Sequence, residues 1–186
     1  MRYQFAFMEA GSRRPDRPEM AHQAARAAVA RAAALAPGLP VFAGGKSFGG
    51  RMTSQAQAGS PLPGVCGLVF LGYPLHPTGK PSTERAGHLD TVRIPMLFVQ
   101  GTRDALADLA LLRAVIDRLP TASLSLVPDA DHGFRVPAKS RAQAQVLEAI
   151  CDVMASWMRG VIDPSTASAD RADRGSAIDA RNTRPS

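Results

Sequence analysis

Ser47, Asp104 and His132 have the residue types that nucleophilic acyl transfer requires. Ser47 lies in Val41-Phe-Ala-Gly-Gly-Lys-Ser-Phe-Gly-Gly50, as the centre of Gly45-x-Ser47-x-Gly49. A hydroxyl attacks a carbonyl only if it is lifted clear of its neighbours and stripped of its proton. A serine on a sharp strand-to-helix turn meets the first condition. Its backbone is strained there, and the residues two places either side, Gly45 and Gly49, must be small to avoid collision. The helix that follows presents amides to developing negative charge, and the backbone N–H of Phe48 is the expected oxyanion donor. The second condition needs a base held by a carboxylate; where a strand–turn–helix serine opens an alternating strand–helix fold, those partners are expected in the order Asp or Glu, then His, each at the carboxyl end of a later strand. Asp104 follows the apolar run Met96-Leu-Phe-Val-Gln-Gly101, and His132 follows Leu124-Ser-Leu-Val-Pro128. The expected substrate is a small molecule with an acyl carbonyl.

The remaining polar candidates fit structural roles better. Asp129 and Asp131 share the His132 loop and read as turn residues; Asp108 and Asp117 are helical, with Asp108 near a helix N-terminus. His22 reads as a surface helix residue, while His76 and His88 fall in an irregular segment. Lys46 is read as one half of an ion pair. Arg13 and Arg14, in the loop Met8 to Pro18, are candidates for attracting an acidic substrate, because that loop leaves the carboxyl end of a candidate strand.

The elements that must position these groups alternate. Strands are expected at Arg2–Phe7, Pro40–Gly44, Cys66–Leu71, Pro95–Val99 and Ser123–Val127, and helices at Glu19–Ala36, Phe48–Gly59, Ala107–Leu119 and Ser140–Val161. Pro18 and Pro37-Gly38 bracket the first helix. Val146, Ile150, Val153, Trp157 and Val161 give the last helix an apolar stripe. The apolar runs at 66–71 and 95–99 suit strands buried on both faces. The pattern implies an α/β architecture: a mostly parallel sheet with helices on both faces. Tyr73 to Arg93, rich in Pro, Gly and polar groups, is expected to be irregular.

Composition narrows the function classes. A net charge of +6 is modest for this length, and aromatics are 5% of residues, so the stacking platforms and basic stripes of nucleic-acid binding are not expected. No run spans a bilayer and no signal-peptide pattern is present, so a soluble, cytoplasmic protein is expected, with no membrane partner. Cys66 and Cys151 sit in apolar contexts and read as buried free thiols. No Cys/His spacing suggests a metal, and no cofactor is implied. Residues 1–162 read as one domain. Residues 163–186 have almost no large apolar side chains and read as a disordered tail whose four Arg and four Asp cancel. Nothing sets the oligomeric state.

The chain resembles short α/β-hydrolases without a lid domain, of the dienelactone-hydrolase-like kind, grouped with a vertebrate testis-expressed hydrolase-like protein and a subunit of a histone acetyltransferase complex. The resemblance runs from about Phe5 to Met158. It rests on Phe5-Ala-Phe-Met-Glu-Ala-Gly-Ser-Arg-Arg-Pro-Asp16, Gly44-Gly-Lys-Ser-Phe-Gly-Gly-Arg-Met52, Gly72-Tyr-Pro-Leu-His-Pro-Thr-Gly-Lys80, Val99-Gln-Gly-Thr-Arg-Asp104 and Asp131-His132. It implies the α/β-hydrolase fold and hydrolysis of an ester, thioester or lactone without cofactor. Dienelactone hydrolases proper use cysteine where Ser47 stands, so their substrate does not carry over. The resemblance also places strand 2–7 as the fourth of eight, with the third between it and the Ser47 strand. Nothing before Met1 supplies that third strand or the second oxyanion amide after it. The first strands are therefore expected to be missing, and the chain as written to be weakly stable and weakly active. A hydrolase fold kept as a non-catalytic interaction module is the alternative.

Overall fold

The computed structural model describes residues 1–137 and 143–165. Four strands form one sheet: β1 (Val41–Lys46), β2 (Val65–Leu71), β3 (Met96–Gly101) and β4 (Ala122–Val127), in that order across the sheet and all parallel. Among the described residues β1 pairs with β2 alone and forms an edge. Parallel neighbours need crossovers, which α3 (Phe48–Gly59) supplies between β1 and β2, and α4 (Leu109–Asp117) between β3 and β4. α2 (Pro18–Leu35) starts on its proline, one residue before the expected Glu19, because proline suits the first helical position.

The two central strands alternate in the way a sheet covered on both faces requires. Leu68 and Phe70 of β2, with Met96 and Phe98 of β3, join a core with residues of α2, α3 and α4. Val69, Leu97 and Val99 point the other way, onto α5 (Gln143–Ile162), where Val146 and Ile150 are buried and Val153 and Trp157 partly so. No described helix is long and apolar enough to cross a membrane.

Three sequence expectations change. Arg2–Phe7 is not a strand: Ala6–Glu9 forms a single helical turn, α1, preceded by extended chain. Its aromatics are satisfied by ring packing rather than by a backbone ladder, with Phe5 edge-on to Phe48 at 5.2 Å and buried with Ala21 and Met52. The segment 73–93 is partly regular, since Glu84–Thr91 forms a 3-10 helix with Ala86 and Leu89 buried. Neither cysteine is buried. Cys66 is half-buried beside Gly67 on β2, and Cys151 is exposed because it lies one position off the Val146/Ile150 stripe. The expected start of the last helix at Ser140, and the tail beyond residue 165, lie outside the described residues.

The 3-10 helix is tied to α3 by a hydrogen bond between His88 Nε2 and Ser54 Oγ, 2.8 Å. Burial, then repulsion from Arg51, pushes the His88 imidazole down from 6.5 to about 4. The unfolded chain therefore takes up a proton that the folded chain refuses. The stability this gives is complete above pH 6.5 and is lost as pH falls towards 4. Tm should drop across that window, and His88→Gln should make the drop shallower; equal slopes in thermal melts of the two chains would contradict it.

Candidate active site

Each chemically competent side chain sits where a strand ends. Ser47 follows β1 directly and caps α3, with φ 51° and ψ −119°. That left-handed backbone is unfavourable for a residue with a Cβ, and it is held because the Ser47 N–H donates to Leu71 O on β2, 3.0 Å. Phe48 is the first residue of α3, so its N–H is among those that no intrahelical carbonyl takes.

The glycines around the turn act differently from the sequence expectation. A Cβ on Gly45 would lie 3.2 Å from Gly49 C and Gly50 N, so Gly45 must be small. A Cβ on Gly49 would meet only Phe5 at 3.5 Å, an ordinary contact. The close approach is at Gly50, where a Cβ would fall 2.6 Å from Gly45 O. The strand packs on α3 through Gly45 and Gly50, one position beyond the motif glycine.

Asp104 lies in the turn after β3, and His132 in the loop after β4. His132 Nε2 is 2.8 Å from Ser47 Oγ, and His132 Nδ1 is 2.7 Å from Asp104 Oδ2. Asp104 is buried at 6% exposure and accepts two further hydrogen bonds: from Gln100 Nε2 to Oδ2, 2.6 Å, and from the Leu106 N–H to Oδ1, 2.8 Å. Every donor points at the carboxylate. His132 Nδ1 therefore carries a proton donated to Asp104, which leaves Nε2 with a lone pair for the serine proton.

Gln100 is the residue that sequence reasoning missed. It is fully buried, and its amide bridges two segments, since Oε1 accepts from the Tyr73 N–H at 2.9 Å while Nε2 holds Asp104. The available signal was a lone amide in the otherwise apolar strand 96–101. Such a group is kept in a core only when both its ends are satisfied.

The other candidates separate cleanly. Asp131 Oδ1 accepts from the Gly133 and Arg135 N–H groups and shapes the loop; these bonds hold its carboxyl below the usual range. Asp108 caps α4 through the Leu111 N–H, and His76 Nε2 accepts from the Asp108 N–H. His22 is half-buried against Gln55. Lys46 is exposed and makes no ion pair among the described residues, contrary to the expected pairing. Arg13 and Arg14 are exposed beyond α1, and neither lines the hollow of about 410 Å³ beside Ser47, whose walls include Phe5, Phe7, Met8 and Phe48. Among the described residues no cluster of His, Cys, Asp and Glu could hold a metal.

Known proteins share this framework. A relative from Caulobacter sp. (strain K31), bearing the name carbamate hydrolase RutD, is 39% identical over 59 residues, 32% of this chain and 22% of that protein. The dienelactone hydrolase of Anabaena variabilis superposes with TM-score 0.60 at 21% identity, over 82% of this chain and 64% of that one. A lid-less α/β serine hydrolase of Xanthomonas campestris gives TM-score 0.55 at 21% identity, over 78% and 61%. The chain spans less than two thirds of each of these proteins. The two structures share the fold with it. Residues 1–159 match the family described as Alpha/beta hydrolase domain, and the chain belongs to that family.

Proposed function

We propose that the chain is a serine hydrolase that cleaves a carboxylic ester, thioester or lactone through an acyl-enzyme on Ser47. The observation that carries this reading is the unbroken hydrogen-bonded run from Ser47 Oγ through His132 to the buried Asp104. As Oγ attacks the carbonyl carbon, His132 Nε2 takes its proton, and Asp104 stabilises the imidazolium that results. The carbonyl oxygen gains charge beside the Phe48 N–H at the start of α3. The imidazolium then protonates the leaving alcohol or thiol. Water, deprotonated by the same imidazole, releases the acid and restores Ser47. The carbamate activity named for the Caulobacter relative would draw on the same attack on a carbonyl. The narrower grouping with testis-expressed and acetyltransferase-complex proteins rests on the sequence motifs alone.

A fluorophosphonate probe tests the reading without knowledge of the substrate. The intact chain should be phosphonylated at Ser47, found by peptide mass spectrometry, and His132→Ala should abolish labelling. An unlabelled, folded chain would instead support a non-catalytic interaction module.

A further inference from the structure

Besides His132, two donors aim the Asp104 carboxylate, and both are held from the loop that follows β2. Gly72 opens that loop with φ 65°, and a Cβ there would lie 3.4 Å from His132 Nδ1, so the imidazole rests against bare backbone. Tyr73 gives its N–H to Gln100, whose amide grips Asp104 Oδ2. His76, in the same loop, is tied to the turn that carries the other donor, the Leu106 N–H on Asp104 Oδ1.

His76 is 4% exposed, and its N–H and both ring nitrogens engage backbone. The N–H donates to Leu106 O, 3.0 Å, and Nε2 accepts from the Asp108 N–H, 2.8 Å. Nδ1 donates to Pro77 O, 2.9 Å. A backbone N–H can only donate and a carbonyl can only accept, so the ring is fixed with its proton on Nδ1 and a lone pair on Nε2.

His76 therefore clamps the peptides 106–107 and 107–108, directly after the Leu106 N–H. The turn needs this support, because its own backbone bonds are long. The Asp104 N–H reaches Gly101 O, and the Ala107 N–H reaches Asp104 O, both at 3.3 Å. Beyond the turn, Asp108 caps α4. We propose that His76 is a positioning residue for the acid–base pair: by accepting from the Asp108 N–H it holds the Leu106 N–H on Asp104 Oδ1, and so fixes the carboxylate that faces His132. It touches no reacting atom. Its effect is on aim, and a misplacement of about 1 Å can cost on the order of 10²-fold in rate. The proposal rests on the hydrolase reading above and extends it to a residue outside the Ser47–His132–Asp104 run.

Three substitutions separate aim from packing. His76→Gln carries an amide oxygen to the reach of Nε2 and can accept from the Asp108 N–H; His76→Asn stops at the reach of Nδ1, and His76→Leu has no acceptor. With 4-nitrophenyl acetate, kcat should fall about tenfold in His76→Asn and His76→Leu, with KM within about twofold of the parent. In His76→Gln kcat should stay within about threefold of the parent. Proton NMR gives a readout that needs no turnover. The proton between His132 Nδ1 and Asp104 Oδ2, 2.7 Å apart, should give a low-field resonance in the parent. It should move upfield in His76→Asn and His76→Leu and return in His76→Gln. Should His76→Leu not fold, His76→Asn reads the same lost acceptor. A histidine that only packs would lower Tm in all three variants and leave both kcat and the resonance at their parent values, which would overturn the proposal. Equal kcat in His76→Gln and His76→Asn, or failure of both His76→Asn and His76→Leu to fold, would overturn it too. A parent chain that turns over no ester, while the resonance still follows the order given, would remove the hydrolase reading and keep the positioning role.

Discussion

Ser47→Ala should lower hydrolysis of an activated ester by about 10⁴-fold or more, because no other group in the site can form the acyl-enzyme. Ser47→Gly should abolish activity equally, yet it should make the chain more stable than the parent. Ser47 holds φ 51° and ψ −119°, a conformation glycine accepts without a Cβ clash. Non-glycine residues at such positions carry strain of order 1–3 kcal/mol, so a gain of about 1 kcal/mol over Ser47→Ala is expected in denaturant unfolding. The pair of variants separates chemistry from conformation. Equal stability of Ala and Gly at this site would show that the turn is unstrained, and residual ester turnover in either would place the nucleophile elsewhere.

Asp104→Asn should cost about 10²- to 10⁴-fold in kcat while leaving the fold intact. The substitution replaces an acceptor by an amide whose N–H₂ cannot accept the His132 Nδ1 proton, so the imidazole is driven toward the tautomer that has no lone pair facing Ser47. Three donors converge on Asp104, and the amide also loses its favourable geometry with one of Gln100 Nε2 or the Leu106 N–H. Gln100→Leu removes one of those donors and strands the buried Tyr73 N–H, at about 1–3 kcal/mol of stability. Its kcat should fall far less, about tenfold, since Asp104 keeps His132 and Leu106. If the loss for Gln100→Leu equals that for Asp104→Asn, Gln100 is doing more than positioning the carboxylate.

The local geometry around Ser47 was readable because it is written in short spacings. A serine turn announces itself within six residues, from Gly45 to Gly50, since Gly45 and Gly50 approach too closely for a side chain. The apolar runs at 66–71 and 95–99 alternate faces exactly as buried parallel strands must, and they become β2 and β3. Ser47, Asp104 and His132 share one edge because every strand of this parallel sheet ends there.

Other features depend on residues distant in sequence, and these only the tertiary structure could decide. Residues 2–7 have the composition of a strand, but Phe5 finds Phe48, 43 positions on, and packs by its ring instead of entering a ladder. Glycine at 50 rather than 49 bears the close approach because the contact is with the backbone of Gly45 across the turn. The role of Gln100 depends on Tyr73, 27 residues away. Local patterns report propensity and burial face. Whether a polar group ends paired or alone is set when the chain brings distant segments together.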